Sequence, residues 1–325
     1  MWRTLLTLAL VLGLAPTAHA AWHVQLGIGE QKSAMFSDPR FTALGVHNVR
    51  YVTAWDVGCH PGPDRDWFEA WLAAAQGADV RPLIGFSFSS RDGQRWKLPS
   101  YRTYLRCFRA FRTRYPSVRD FNPWNEANHS AQPTFRHPKK AAGFYNAMKR
   151  VCPRRCNVAA GDLLDWHNLV RWMNRYRPYL RGKPRLWSMH NYLDVNRPRS
   201  WRKSATRKML HLTRGHLWIT ETAGVVVSRR YAKYDEQRAA AATRRMFDFA
   251  DRARRITRLY PYQWQASCDP YGWDSAWFRS NGSPRPAWQV VIDELAGDGV
   301  LTDAQLQRLD TVAGTALNDT CTGVS

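Results

Sequence analysis

The chain has 325 residues, 44% apolar and 13% aromatic, enough to bury a large core as one big barrel or as two ordinary domains. Its formal net charge is +22, carried by arginines scattered along the whole length, and no nucleic-acid-binding motif accompanies them, so nucleic acid is not an expected partner. That charge fits association with an anionic wall polymer or exopolysaccharide, or else reflects an arginine-biased composition.

The first twenty residues, MWRTLLTLALVLGLAPTAHA, place Arg3 before an apolar stretch from Leu5 to Leu14 and end in the small-x-small triplet Ala18-His19-Ala20. This is the pattern of a secretory signal peptide, too short to span a membrane. Export with a mature start at Ala21 is expected. Six cysteines, Cys59, Cys107, Cys152, Cys156, Cys268 and Cys321, fit an oxidising compartment and three disulfides. Cys152 and Cys156 are close enough to pair, and Cys268 is a natural partner for Cys321. No second Cys or His pair sits at ligand spacing, so no zinc site and no cofactor is expected.

From there the pattern alternates. Strands are predicted at 24–29 (VQLGIG), 48–55 (NVRYVTAW), 80–88 (VRPLIGFSF), 118–126, 157–164 (NVAAGDLL), 185–192 (RLWSMHNY), 216–222 and 256–265 (ITRLYPYQWQ). Helices are predicted at 66–76, 101–115, 139–151, 168–180, 201–212 and 235–255, with a closing helix over 286–295 that carries Pro286 in its first turn. Eight strands alternating with helices, uninterrupted by a Gly/Ser linker, predict an α/β single-domain (β/α)8 TIM barrel over residues 21–296. The tail, 297–325, is expected to pack on its outside. A doubly wound dinucleotide fold would need a third glycine after Gly27-x-Gly29, where Glu30, Gln31 and Lys32 stand instead.

Two of these strands, ending FNPWNE and WITE, close in a glutamate, Glu126 and Glu221. In such a barrel chemistry sits at the C-terminal ends of the strands. A carboxylate there is costly unless it faces a polar cavity or finds a partner. An ion pair with one of the many arginines would account for either glutamate alone. Two of them, three strands apart, can face each other across the mouth, the layout that glycoside hydrolysis needs. Asn125 beside Glu126 could hydrogen-bond a sugar. Adjacent strand residues point to opposite faces, so both reach the mouth only if the strand ends or bulges there.

These motifs resemble those of the clan A glycoside hydrolases, nearest to the family 39 and family 5 type enzymes. The resemblance rests on Trp124-Asn125-Glu126, Thr220-Glu221, Arg50 with Trp55 following, His190-Asn191-Tyr192 and Trp264, in order on five strands. It implies a (β/α)8 barrel and a retaining mechanism with Glu126 as acid/base and Glu221 as nucleophile. Arg50 and Tyr192 would keep Glu221 ionised, Asn125 would hold the 2-hydroxyl, and His190 would bond the sugar or the acid/base side. Trp264 would floor the sugar subsite. Burial and the charge of Glu221 would raise the pKa of Glu126.

Sixteen tryptophans suit a carbohydrate groove, since sugar rings stack on indole. Trp264 and then Trp55 are the first candidates, with Trp96, Trp166 and Trp273 in mouth-side loops. Asp162 and Asp165 follow the fifth strand and read as subsite or solvated loop residues, and His60, His129 and His137 as surface residues. Asn128-His129-Ser130, Asn281-Gly282-Ser283 and Asn318-Asp319-Thr320 match the N-glycosylation pattern. The expected function is a secreted, monomeric retaining β-glycosidase acting on a poly- or oligosaccharide without a cofactor. The rival readings are a non-catalytic carbohydrate- or cell-wall-binding barrel and a basic wall- or nucleic-acid-associated protein that uses the barrel as a scaffold. Substrate, and endo or exo action, are not written in these motifs.

Overall fold

The computed structural model describes residues 22–229, 232–268 and 272–315; residues 1–21, Cys321 and Asn318 lie outside these. The strands are β1 (Gln25–Gly29), β2 (Asn48–Ala54), β3 (Arg81–Ser87), β4 (Asp120–Asn122), β5 (Asn157–Val158), β6 (Ala160–Leu164), β7 (Leu186–His190), β8 (His216–Thr222), β9 (Val227–Ser228), β10 (Ile256–Pro261) and β11 (Trp273–Asp274). The helices are α1 (Pro39–Leu44), α2 (Pro63–Gly77), α3 (Tyr101–Arg114), α4 (Pro138–Val151), α5 (Leu169–Tyr176), α6 (Tyr192–Asn196), α7 (Ala205–Leu212), α8 (Glu236–Asp251), α9 (Pro286–Gly297) and α10 (Asp303–Val312).

The main sheet runs β5-β4-β3-β2-β1-β10-β8-β7-β6 with every pairing parallel. Its two ends, β5 and β6, are consecutive halves of one stretch, so the sheet closes on itself and the eight-unit barrel expected from the alternation is present. Helix starts are encoded locally. Pro39, Pro63, Pro138 and Pro286 open α1, α2, α4 and α9, where a missing N–H costs nothing. Side chains of Ser100, Ser204, Asp235 and Thr302 cap α3, α7, α8 and α10.

The apolar core lies between the barrel wall and the helices, in aromatic clusters such as Phe68, Phe86, Phe111 and Phe121. The lumen is polar. Asp120 on β4 meets Arg258 on β10 at 2.6 Å, and Asn122 on β4 donates to Ser188 on β7 at 2.7 Å. Neither pair is on neighbouring strands, so both contacts cross the barrel interior. One close approach explains the glycine of the TETAG stretch: a Cβ on Gly224 would stand 1.9 Å from the carbonyl oxygen of Ala239 in α8.

Disulfides join Cys59 to Cys107, Cα atoms 4.9 Å apart, and Cys152 to Cys156, 5.5 Å apart. Cys268 is also disulfide-bonded. In the C-terminal region α10 rests on α1, with Leu309 buried and Gln305 Nε2 donating to the Leu44 carbonyl. Among the described residues no helix is long and apolar enough to cross a membrane.

Candidate active site

The strand reading of 118–126 is too long, and the shortening builds the site. β4 ends at Asn122; the Asn125 N–H then donates to the Phe86 carbonyl at 2.6 Å, and Glu126 adopts a left-handed backbone with φ 47°. This is the irregularity that lets Asn125 and Glu126 both face the mouth. Glu221 stands at the second-last position of β8. The two carboxylates and His190 each offer an atom within 4.8 Å of the others. They sit in a cleft of about 760 Å³ that Asn125, Glu126, Glu221, Tyr192 and Tyr262 help to line. A groove of about 900 Å³ between α3 and α4 shares no lining residue with this cleft and is lined by no carboxylate.

Glu221 is held from two sides. Arg50 Nη1 donates to Oε2 at 2.6 Å and the Tyr192 hydroxyl donates to Oε1 at 2.9 Å. Arg50 is fully buried behind the glutamate, so it positions carboxylates rather than touching a ligand. Its other terminal nitrogen donates to Asn125 Oδ1 at 2.6 Å and to Asp162 Oδ2 at 3.1 Å. The Asn125 carbonyl is thereby occupied, which leaves the amide N–H groups for a ligand. Burial pushes the Tyr192 phenol far up, and Glu221 adds to the shift, so the phenol stays protonated as a donor.

From the sequence Asp162 is expected either to line a subsite or to be a solvated loop residue. It lies instead inside β6, sealed from solvent, with φ 71° where the β6–β7 register slips between Gly161 and Leu163. Its Oδ1 accepts from the Thr220 hydroxyl at 2.5 Å and lies 3.4 Å from His190 Nε2. Burial opposes its charge, but His190 and Arg50 outweigh that and hold the carboxyl far below the usual carboxylate range. His190 is also fully buried, with Nδ1 3.2 Å from Glu126 Oε1 and 3.7 Å from Glu221 Oε2. Burial alone would lower its pKa; Glu221 and Asp162 overrule it and raise it to about 10, which favours the charged ring, while Arg50 Nη2 stands 3.2 Å from Nε2.

That charge overturns the expectation for Glu126. Burial does push its pKa up, but the hydrogen bond and charge of His190, with help from His129, bring it below the ordinary glutamate value. Of the two groups, His190 is the one whose surroundings favour the proton. The cluster can thus present one ionised carboxylate fixed by Arg50 and Tyr192, and a second carboxylate sharing a proton with a histidine. Glu126, His190 and Glu221 are close enough to share a cation, which would have to displace the proton from His190 to use its lone pair.

Two tryptophan assignments are corrected. Trp264 is buried, packed against Phe41, Trp277, Phe278 and Trp288, and its indole N–H donates to Asp38 Oδ2 at 2.8 Å. Asp38 in turn caps α1, so Trp264 ties the end of the barrel to a helix and does not line the cleft. Trp55 is buried and stacks on Tyr104. The aromatic surfaces in the cleft belong to Trp166 and Trp273, with Tyr192 and Tyr262. Trp96 is 60% exposed and outside it. His129 is not a bland surface residue: it lines the cleft, with Nδ1 3.5 Å from Glu126 Oε2. Asp165 is buried and receives the Asp194 N–H. Asn128 is buried too, its amide bonded to Leu164 and Asn168, so it presents no acceptor nitrogen for glycosylation.

The fold has counterparts among solved structures. A family 39 glycoside hydrolase from the gut symbiont Bacteroides cellulosilyticus WH2 superposes with a TM-score of 0.59 at 15% identity, over 84% of this chain and 64% of that one. A family 5, subfamily 18 glycoside hydrolase from Streptomyces cattleya, solved in complex with GlcNAc, gives 0.58 at 14% identity, over 87% and 82%. Xylanase 10B from Thermotoga maritima gives 0.61 at 12% identity, over 85% and 96%. This chain therefore spans slightly under two thirds of the family 39 enzyme and most of the other two. No protein-family model matches the sequence, and no curated protein matches it. At these identities the shared property is the fold: the (β/α)8 barrel found in clan A glycoside hydrolases, as the motifs implied.

Proposed function

We propose that the protein is an exported retaining β-glycosidase in which Glu221 is the nucleophile and Glu126 the acid/base. The observation that carries this reading is the facing pair: two glutamates at the barrel mouth with carboxyl oxygens within 4.8 Å, one clamped by Arg50 and Tyr192, the other by a protonated histidine. Carboxyl groups about 5–5.5 Å apart suit attack on the sugar itself, whereas inverting enzymes space them by about 6.5–9.5 Å to admit a water.

In the first step a Glu221 oxygen forms a bond to the anomeric carbon as the bond to the leaving oxygen breaks. The leaving oxygen takes its proton from Glu126, which is resupplied through Nδ1 of His190. The pair gives up one proton in all. Glu221 is then a neutral ester, Glu126 is ionised, and His190 is a neutral imidazole. In the second step Glu126, with His190 behind it, removes a proton from water. The water oxygen bonds to the anomeric carbon, Glu221 leaves as carboxylate, and the proton returns to the pair. A sugar hydroxyl in place of water would give transglycosylation. Asn125 would hold the sugar through its amide N–H groups, and Trp166, Trp273, Tyr192 and Tyr262 offer stacking faces.

The test is release of reducing ends or aryl groups from a panel of β-linked polysaccharides and aryl glycosides, wild type beside Glu221→Gln. Turnover that drops by roughly a thousandfold or more in the variant supports the assignment, given what loss of a covalent nucleophile costs. Equal turnover removes Glu221 from the mechanism. Sugar binding by both proteins without turnover would favour the non-catalytic binder.

A further inference from the structure

The cleft lining also carries cations that the proposed chemistry does not use. Arg197, at the end of α6, and Lys233, beyond β9, both line the cleft and are exposed. Among the described residues neither forms an ion pair or a side-chain hydrogen bond. The wall that presents Lys233 is built, not loose. Ser228 and Ala232 exchange both backbone hydrogen bonds, at 2.8 and 3.1 Å, and Arg238 Nη2 donates to the carbonyls of Val225, Val226 and Lys233. The guanidinium of Arg238, also in the cleft lining, is spent on these carbonyls and on Asp235 at 3.7 Å.

The acidic side chains are placed differently. Among the described residues that line the cleft, the only carboxylates are Glu126 and Glu221, and both are already answered from beneath by His190 and Arg50. A neutral glycan would use the aromatic faces and the Asn125 amide and leave Arg197 and Lys233 solvated. A carboxylate on the bound glycan could be met by an arginine able to bind it with two N–H groups, and by a lysine ammonium elsewhere in the same lining.

Resting on the glycosidase reading above, we infer that this cleft takes a β-linked glycan bearing carboxylate groups, with Arg197 and Lys233 as the anion-binding wall. Neither residue belongs to the motifs that suggested a glycosidase.

The experiment compares a uronate-bearing β-linked polysaccharide with the same polymer after its carboxyl groups are reduced to alcohols. Binding is followed by tryptophan fluorescence, to which Trp166 and Trp273 in the cleft contribute, and turnover is measured in parallel. The expected result is tighter binding of the carboxylate form by roughly tenfold, the sum of two solvent-accessible charge pairs. That preference should shrink to within about twofold in Arg197→Ala/Lys233→Ala and in about 0.5 M salt. Equal binding of the two polymers, or a preference that survives the double substitution, overturns the inference. Because binding is read without catalysis, absent turnover with the carboxylate preference intact would sink the glycosidase reading alone.

Discussion

Nε2 of His190 lies 3.4 Å from Oδ1 of Asp162, and both side chains are sealed from solvent. This contact adds to the charge of Glu221 in favouring the protonated form of His190. Asp162 touches neither the cleft lining nor a ligand position, yet with Glu221 it keeps His190 charged, and His190 in turn keeps Glu126 ionised. Asp162 is thus a positioning residue. Asp162→Asn should lower the alkaline limb of the turnover-pH profile by one unit or more, because one carboxylate within about 4 Å shifts a pKa by about that much. A variant that loses activity with an unmoved pH profile would assign Asp162 a purely structural role.

Stability should carry the same signature. His190 has its pKa raised in the fold to about 10, above the value of about 6.5 for the unfolded chain. Its contribution is fully present below the unfolded value and is lost as pH rises toward about 10. Asp162 and Glu126 are depressed, so theirs is present above the ordinary carboxylate range and is lost as pH falls below it. Urea unfolding from pH 3 to 10 should show stability falling on both sides of a mildly acidic plateau, between the ordinary carboxylate range and about 6.5. In Asp162→Asn the alkaline fall should be smaller and should end at lower pH. Stability that is flat between about pH 7 and 10 would contradict a charged His190.

Arg50 is the buried charge that three acceptors share. Replacing it with Met leaves Asp162 and Glu221 without their guanidinium. We expect a loss of about 3–5 kcal/mol in the free energy of unfolding, the usual cost of breaking a buried ion pair from one side. A loss under about 1 kcal/mol would show that the cluster is solvated in solution.

The two tryptophans separate structure from binding. Trp264→Ala should cost about 3–5 kcal/mol of stability, since it empties a packed aromatic cluster and frees Asp38. Trp273→Ala should leave the melting temperature nearly unchanged and raise KM by roughly tenfold through a lost stacking face. The reverse pattern would return the sugar platform to Trp264.

Tyr192→Phe removes the hydroxyl that donates to Glu221 Oε1 and leaves the ring edge-on to Trp273. A hydrogen bond to a charged group is worth about 1.5–3 kcal/mol, so kcat/KM should fall roughly 10- to 100-fold with the fold intact. An unchanged rate would remove Tyr192 from the support of Glu221.

How far the sequence foretells this site depends on how each residue announces itself. Glu126 and Glu221 are legible because a carboxylate at the end of an apolar run is physically anomalous. Arg50 and His190 fall under the same heading, polar residues inside apolar strands. Asp162 sits in such a strand as well, in AGDLL, but a flanking glycine makes it look like the start of a loop. Only the register slip at Gly161 turns it inward. The tryptophans are the opposite case. Indole serves core packing and sugar stacking equally well, so nothing local tells Trp264 from Trp273. The pKa of Glu126 is illegible for a third reason: its sign depends on the distance to a histidine 64 positions away. Short elements such as α6 and β9 carry too few residues to show a period.

The central claim is a covalent sugar on Glu221. The most direct measurement is to incubate the protein with the 2-deoxy-2-fluoro analogue of its best aryl β-glycoside and to locate the adduct by peptide mass spectrometry. One glycosyl group is expected on the peptide containing Glu221, with activity lost in step with labelling. An adduct on any other residue, or turnover that releases the inverted sugar without any adduct, would contradict it.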